Sequence, residues 1–248
     1  MHYFILNVEY GGLGDHLFFS PVPRLLKDKY GDDCRVYLSN QSNFRNWQTY
    51  EFVWSQNPFL DGLADPQSHN FKKLETDKKS RQVMESILRR YGLKVATEPE
   101  PEIYYKISKY DNSPGFIVDL NYSSYVGLLE SDIVNLALKL DEKFIFLNPN
   151  KLIRSIIPSQ RYFYTNSLHE YASVIKSSNK FYCLTSGGAT LARALNVAAN
   201  VYATYNYPEY FTHRGNNYIF LGMGSKSIRR VLTYYLWQKN LKIREVSK

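Results

Sequence analysis

Residues Tyr10–Lys27 read YGGLGDHLFFSPVPRLLK. They follow a short apolar run, Tyr3–Val8, of the kind that forms a buried parallel strand. After the strand come Gly11, Gly12 and Gly14, then an acidic residue, Asp15. Leu17, Phe18, Val22, Leu25 and Leu26 are then spaced as on one face of a helix, which predicts a helix over residues 16–30. Pro21 and Pro23 fit that helix only near a start or a kink. A strand–turn–helix unit of this sort belongs to a parallel α/β sheet, where ligands bind at the carboxyl ends of the strands. Glycines let the chain bend sharply, and the free N–H groups of a helix start favour an anion or an oxygen.

The same alternation runs outward along the chain. Arg35–Leu38 and Phe52–Trp54 read as strands, Ser42–Tyr50 and Ser80–Tyr91 as helices, residues 61–80 as a polar loop, and Glu102–Ser108 as an edge strand. The cluster Asp111-Asn112-Ser113-Pro114-Gly115 is a turn. The pattern then restarts. Strands are predicted at Phe116–Leu120, Lys143–Leu147, Arg161–Tyr164, Phe181–Leu184, Val201–Thr204 and Tyr218–Leu221. Helices are predicted at Ser131–Leu140, Ser167–Ser177, from Thr190, and over Ser225–Asn240. A second glycine turn, Ser186-Gly187-Gly188-Ala189-Thr190, precedes the helix at Thr190. The fold class is therefore α/β, with two Rossmann-like lobes facing a central cleft. Residues 1–113 form the N-terminal lobe and 114–248 the C-terminal lobe, with the last helix packing back on the first.

The 248 residues carry a formal net charge of +8, 44% apolar residues and 16% aromatics, 22 of them Tyr. That is ample material for a core, and Tyr suits the stacking of sugars. The positive balance attracts anions, but no solid run of Lys or Arg marks a nucleic-acid footprint, so nucleic acid is not an expected partner. Cys34 and Cys183 lie far apart and outside any CxxC pair, which excludes a disulfide scaffold. Scattered His2, His69, His169 and His213 suggest no metal. With no signal peptide and no apolar run of membrane length, the protein is expected in the cytoplasm. The basic, aromatic last helix suggests peripheral contact with the inner membrane surface. Neither glycine turn is a Walker motif or a complete G-x-G-x-x-G.

Taken together, the two turns resemble the lipopolysaccharide core heptosyltransferase family. Gly12, Gly14, Asp15, Pro21, Arg24, Leu25, Leu26 and Lys27 fit its N-terminal pattern. Ser167, Leu168, Glu170, Ser186, Gly187, Leu191, Ala192, Ala194 and Leu195 fit its C-terminal signature. Thr185 stands where that family usually has Asp, and Thr190 where it usually has His; Gly188 and Asn196 also depart. The resemblance implies a GT-B glycosyltransferase, shortened and divergent. Such an enzyme makes an inverting, metal-independent transfer from a nucleotide sugar to a hydroxyl of a bacterial surface glycan or glycolipid. No cofactor beyond the nucleotide-sugar co-substrate is implied.

The resemblance makes Asp15 the catalytic base; the residues alone leave it equally a helix cap. Gly12, Gly14 and His16 form the acceptor-side loop, and His16 is a second candidate base. Donor-binding candidates are Ser186, Gly187, Gly188 and Thr190, the loop residues Ser123 and Ser124, and Lys151. Residues 205–210 are expected to line a base or sugar pocket. A non-catalytic nucleotide- or sugar-binding protein of the same fold is the competing expectation.

Overall fold

The computed structural model describes residues 1–74, 82–94, 99–122, 130–203 and 211–221. In the first half, β1 (His2–Leu6) is followed by α1 (Leu13–Phe19), α2 (Val22–Tyr30), β2 (Cys34–Ser39), α3 (Gln48–Val53), β3 (Leu63–Ala64) and α4 (Val83–Arg90). The three strands form a parallel sheet in the order β1-β2-β3. The single helix expected over residues 16–30 is two helices. It breaks at Ser20–Pro21, with Pro21 capping α2 and Pro23 in its first turn, where a missing N–H costs nothing.

Two expectations are corrected here. Phe52–Trp54 is the end of α3 and its cap rather than a strand. Its apolar run looks extended, but Thr49, Phe52 and Val53 are the buried positions, which is helical spacing. Glu102–Ser108 forms no strand. Its first residue is instead drawn across the α1–α2 junction, where Glu102 N–H donates to Ser20 Oγ at 2.7 Å and Glu102 pairs with Arg24. Conversely, Asp61 accepts from Val36 N–H and Lys27, and this fastening guides Leu63–Ala64 alongside β2 inside the expected polar loop.

The second half holds β4 (Phe116–Asp119), α5 (Glu130–Lys139), β5 (Ile145–Leu147), α6 (Lys151–Arg154), β6 (Tyr162–Phe163), α7 (Leu168–Ser177), β7 (Lys180–Leu184), α8 (Gly187–Ala194), β8 (Asn200–Ala203) and β9 (Asn217–Phe220). All six strands are parallel, in the order β6-β5-β4-β7-β8-β9. Counted within this half, that is 3-2-1-4-5-6, the doubly wound Rossmann order. The order reverses between β4 and β7, and a ligand crevice in such a sheet lies just beyond the carboxyl ends of those two strands.

One apolar core runs from the first sheet into one face of the second. It includes Phe4, Leu6, Leu17, Leu38 and Trp54 on one side and Ile117, Phe181, Leu191 and Val201 on the other. A separate cluster around Val118, Ile133, Phe146 and Leu184 fills the opposite face of the large sheet. The segment between the halves is pinned to both: Glu102 pairs with Arg24 on α2, and Glu100 pairs with Arg193 on α8. Among the described residues, no helix is long and apolar enough to cross a membrane. The expected helix at Ser225–Asn240 and the loop at 205–210 lie outside the described residues.

Candidate active site

Both glycine turns end as the first turn of a helix. Gly14 and Asp15 are already inside α1, and Gly187, Gly188 and Ala189 already inside α8. The helix expected from Thr190 therefore starts three residues earlier, because Ser186 caps it: its Oγ accepts from Gly188 N–H at 3.3 Å. The two helix starts meet. A Cβ on Gly14 would lie 3.2 Å from Gly187 Cα, and a Cβ on Gly187 would lie 3.1 Å from Gly14 N. Backbone packs on backbone here, and a Cβ at either position would fit only if the two helix starts gave way by a few tenths of an ångström.

Asp15 stands at this junction, half-buried. Its Oδ2 accepts from Gly12 N–H at 3.0 Å, closing the first turn of α1. Burial raises the carboxyl above its ordinary range, and the Gly12 N–H and the nearby Arg45 guanidinium pull it partly back. Asp15 is thus a cap, and also a carboxylate of increased basicity beside a cation. Arg45 comes from the loop after β2, held there by its N–H donating to the Gly11 carbonyl at 3.1 Å. Nothing in the order of residues 40–47 signals this.

His16 is not available as a base. It is fully buried; Nε2 lies 2.8 Å from the Asn43 carbonyl, and Nδ1 accepts from Trp54 Nε1–H at 3.0 Å. Those partners fix the tautomer with the proton on Nε2. Burial lowers its pKa to about 4, so the ring is neutral and structural. It stacks on Phe44 at 4.5 Å and so holds the 43–45 loop against the first turn.

On the other side, Thr190 is buried, with its Oγ1 3.1 Å from His213 Nε2. His213 is itself buried and lowered to about 4, by burial and then by Arg193, and it stacks on Phe18 of α1 at 5.5 Å. Thr185 Oγ1, just beyond the end of β7, is buried with no hydrogen-bond partner among the described residues. Asn196 takes φ 58°, the left-handed conformation that follows a helix end and that Asn tolerates better than most residues.

At the carboxyl end of β4, where the strand order reverses, lies a polar cluster that the sequence reading did not single out. Asp119 ends β4 and is buried. It accepts from Tyr171 O–H, and the two donors of Asn121, N–H and Nδ2, each reach it at 2.8 Å. Burial still raises its pKa, against those three bonds. Asn121 Nδ2 also donates to the Asn148 carbonyl at 2.8 Å, so the ends of β4 and β5 are tied together. An acidic residue closing the apolar run FIVDL was the available signal. Ser123 and Ser124 lie outside the described residues. Lys151 is exposed at the start of α6, following β5, which β4 separates from β7. Among the described residues, no group of three or more His, Cys, Asp or Glu is placed to hold a metal ion.

No protein-family model matches the chain, and no curated protein matches it. Solved structures do. Heptosyltransferase II of E. coli, an ADP-heptose lipopolysaccharide enzyme, superimposes with a TM-score of 0.65 at 11% identity, over 97% of this chain and 100% of that one. The chain has the fold of the heptosyltransferases. A family 9 glycosyl transferase from Veillonella parvula matches with a TM-score of 0.60 at 11% identity, over 97% and 89% of the two chains. TibC, a dodecameric iron-containing heptosyltransferase of enterotoxigenic E. coli solved with ADP-D-beta-D-heptose, matches with a TM-score of 0.58 at 13% identity. That match covers 90% of this chain, which spans 63% of the length of TibC.

Proposed function

We propose that this chain is a glycosyltransferase that moves a sugar from a nucleotide-sugar donor to a hydroxyl of a bacterial surface glycan, such as lipopolysaccharide, capsule or glycoprotein. Asp15 is the base. The acceptor oxygen attacks the anomeric carbon as the bond to the diphosphate breaks, the configuration inverts, and the proton passes to the Asp15 carboxylate. Arg45 and the Gly12 N–H favour the ionised form of that carboxylate against the effect of burial. The diphosphate leaves toward the start of α8, where N–H groups and the helix dipole favour negative charge, so the step needs no metal. Gly12 and Gly14 shape the acceptor side, and Gly187 and Gly188 the donor side. The protein acts in the cytoplasm, at or near the inner membrane surface.

The observation that best supports this reading is the abutment of Gly14 and Gly187, by which the helix start that bears Asp15 packs on the start of α8, together with the burial that raises the Asp15 carboxyl. The heptosyltransferase fold supports it, and ADP-heptose is the first donor to test because structural neighbours act on or bind it. Thr185 and Thr190 leave other nucleotide sugars open. One observation favours a purely binding role: an Asp15 oxygen already serves inside the protein as the cap of α1. Release of nucleotide from ADP-, GDP-, UDP- and CMP-linked sugars, by wild type and Asp15→Ala, separates the two readings. Transfer or hydrolysis that Asp15→Ala abolishes supports catalysis; tight nucleotide binding with no turnover supports binding alone.

A further inference from the structure

A second cationic feature lies away from both glycine turns. A cavity of about 250 Å³ is lined by Lys29, Lys72, Lys73 and Arg90, with Tyr30 and Phe4 as its aromatic wall. Lys29 and Tyr30 close α2, and Arg90 closes α4. In a parallel α/β unit, helix ends lie at the opposite side of the sheet from the strand–helix turns, so this cavity opens on the face away from Asp15.

The placement of the charges is specific. Lys72 is fixed by its N–H donating to the Tyr3 carbonyl at 2.8 Å. Its Nζ lies 3.4 Å from Tyr30 Oη and 4.5 Å from the centre of the Tyr30 ring. Lys29 Nζ lies 4.9 Å from the same ring and donates to the Gly92 carbonyl at 2.6 Å. Elsewhere, Arg24, Lys27, Arg35, Arg89 and Arg193 each have a carboxylate within ion-pair distance. Among the described residues, none of the four cavity cations does. The helix dipole accounts for Lys29 and Arg90 at helix ends, but Lys72 and Lys73 belong to no helix. Burial alone would raise the Tyr30 pKa, yet Lys29 and Lys72 bring it below its ordinary value, a sign of the positive field there. Four cations around one concave space, with no carboxylate within ion-pair distance among the described residues, repel one another until an anion enters.

We propose that this cavity is a second anion site that takes a phosphate-bearing group, held by Lys29, Lys72, Lys73 and Arg90. Its volume falls below the range typical of whole-ligand pockets, about 300–1,000 Å³, which suits a phosphate or diphosphate head rather than a whole nucleotide sugar. That head comes either from a free phosphorylated molecule or from an anionic lipid. The site is independent of glycosyl transfer at Asp15.

The test is an amide-resolved NMR titration of the full chain with inorganic pyrophosphate, on wild type and on Lys73→Gln/Arg90→Gln. Both substituted side chains reach solvent, so the fold is expected to persist, and unchanged amide shifts elsewhere check this. The site stands if the Tyr30, Leu74 and Gly92 amides shift saturably and the double variant weakens that binding at least tenfold. It is overturned if those amides do not respond below about 10 mM, or if the double variant binds equally well. Responses confined to residues 186–190 report the α8 start instead and also overturn it. Sedimentation with phosphatidylcholine vesicles carrying phosphatidic acid, against charge-matched phosphatidylserine vesicles, then separates the sources. Selective retention on phosphatidic acid, lost in the double variant, identifies a lipid head; retention on neither, with pyrophosphate bound, identifies a free phosphorylated ligand.

Discussion

Gly187→Ala probes the α1–α8 junction with a single methyl group. The new Cβ would lie 3.1 Å from Gly14 N and 3.5 Å from Leu13 Cβ. The first distance is a few tenths of an ångström short of ordinary contact, and the obstacle is backbone, which cannot swing aside. Overpacking of this sort costs about 1–3 kcal/mol. Alanine is the better helix former by about 1 kcal/mol in a helix interior, and by less at the first helical residue. The overpacking wins, leaving a net destabilisation of about 0.5–2 kcal/mol. Urea unfolding should show a lower midpoint at unchanged slope. If relief comes by the helices parting a few tenths of an ångström, Asp15 moves relative to the α8 start. A misplacement of about 1 Å costs about a hundredfold in rate, so a loss of roughly three- to tenfold follows. Gly115→Ala is the control, since its Cβ meets only the end of the Asn179 side chain, at 3.3 Å. Gly14→Ala combined with Gly187→Ala should be non-additive by at least about 0.5 kcal/mol. A Gly187→Ala protein as stable and active as the control would refute the close approach of the two turns.

Other outcomes follow from individual side chains. Arg45→Gln removes the positive charge that holds Asp15 down, so the Asp15 pKa rises further and the acid limb of the rate profile moves to higher pH; an unmoved limb would contradict this. His16 and His213 are buried neutral with pKa values of about 4, against 6.5 when unfolded. Depressed pKa values confer stability that is present above pH 6.5 and lost as pH falls toward 4, on the order of 1–3 kcal/mol per histidine. Asp15 and Asp119, with raised values, act in the opposite sense as pH rises through their folded pKa, so the net acid slope is reduced. A His213→Gln protein should show a shallower loss of stability over pH 6.5–4. Thr185→Val removes a buried hydroxyl that has no partner among the described residues and should leave the empty protein equally or more stable, by up to about 2 kcal/mol in thermal unfolding, while weakening donor binding.

The β–α alternation, both glycine turns and the strands at Phe116, Lys143 and Phe181 were legible because buried parallel strands are short apolar runs between helix-spaced segments. Reading failed where local pattern and tertiary context part. Phe52–Trp54 is apolar throughout, and only the burial of Thr49 and Phe52 one helical turn apart distinguishes helix from strand. Leu63–Ala64 pairs with β2 through an anchor on Asp61, a contact across 25 residues with no local signature. In the site, Gly14, Asp15 and Gly187 were legible as turn residues, but their meeting is a property of α1 against α8. His16 looked reactive beside Asp15; its partners, Asn43 and Trp54, are 27 and 38 residues away. The pairing of His213 with Thr190 was equally invisible, since only the fold brings the 211–216 loop under α8.

The most direct test of the account is Asp15→Asn, in which the amide oxygen can still accept from Gly12 N–H, so the cap of α1 survives while the base is lost. Donor affinity and single-turnover transfer are measured separately with the nucleotide sugar that wild type turns over. The account predicts unchanged donor affinity and a fall in the transfer rate of about 10²–10⁴, or about 2.7–5.4 kcal/mol of barrier. Transfer by Asp15→Asn at the wild-type rate would contradict it.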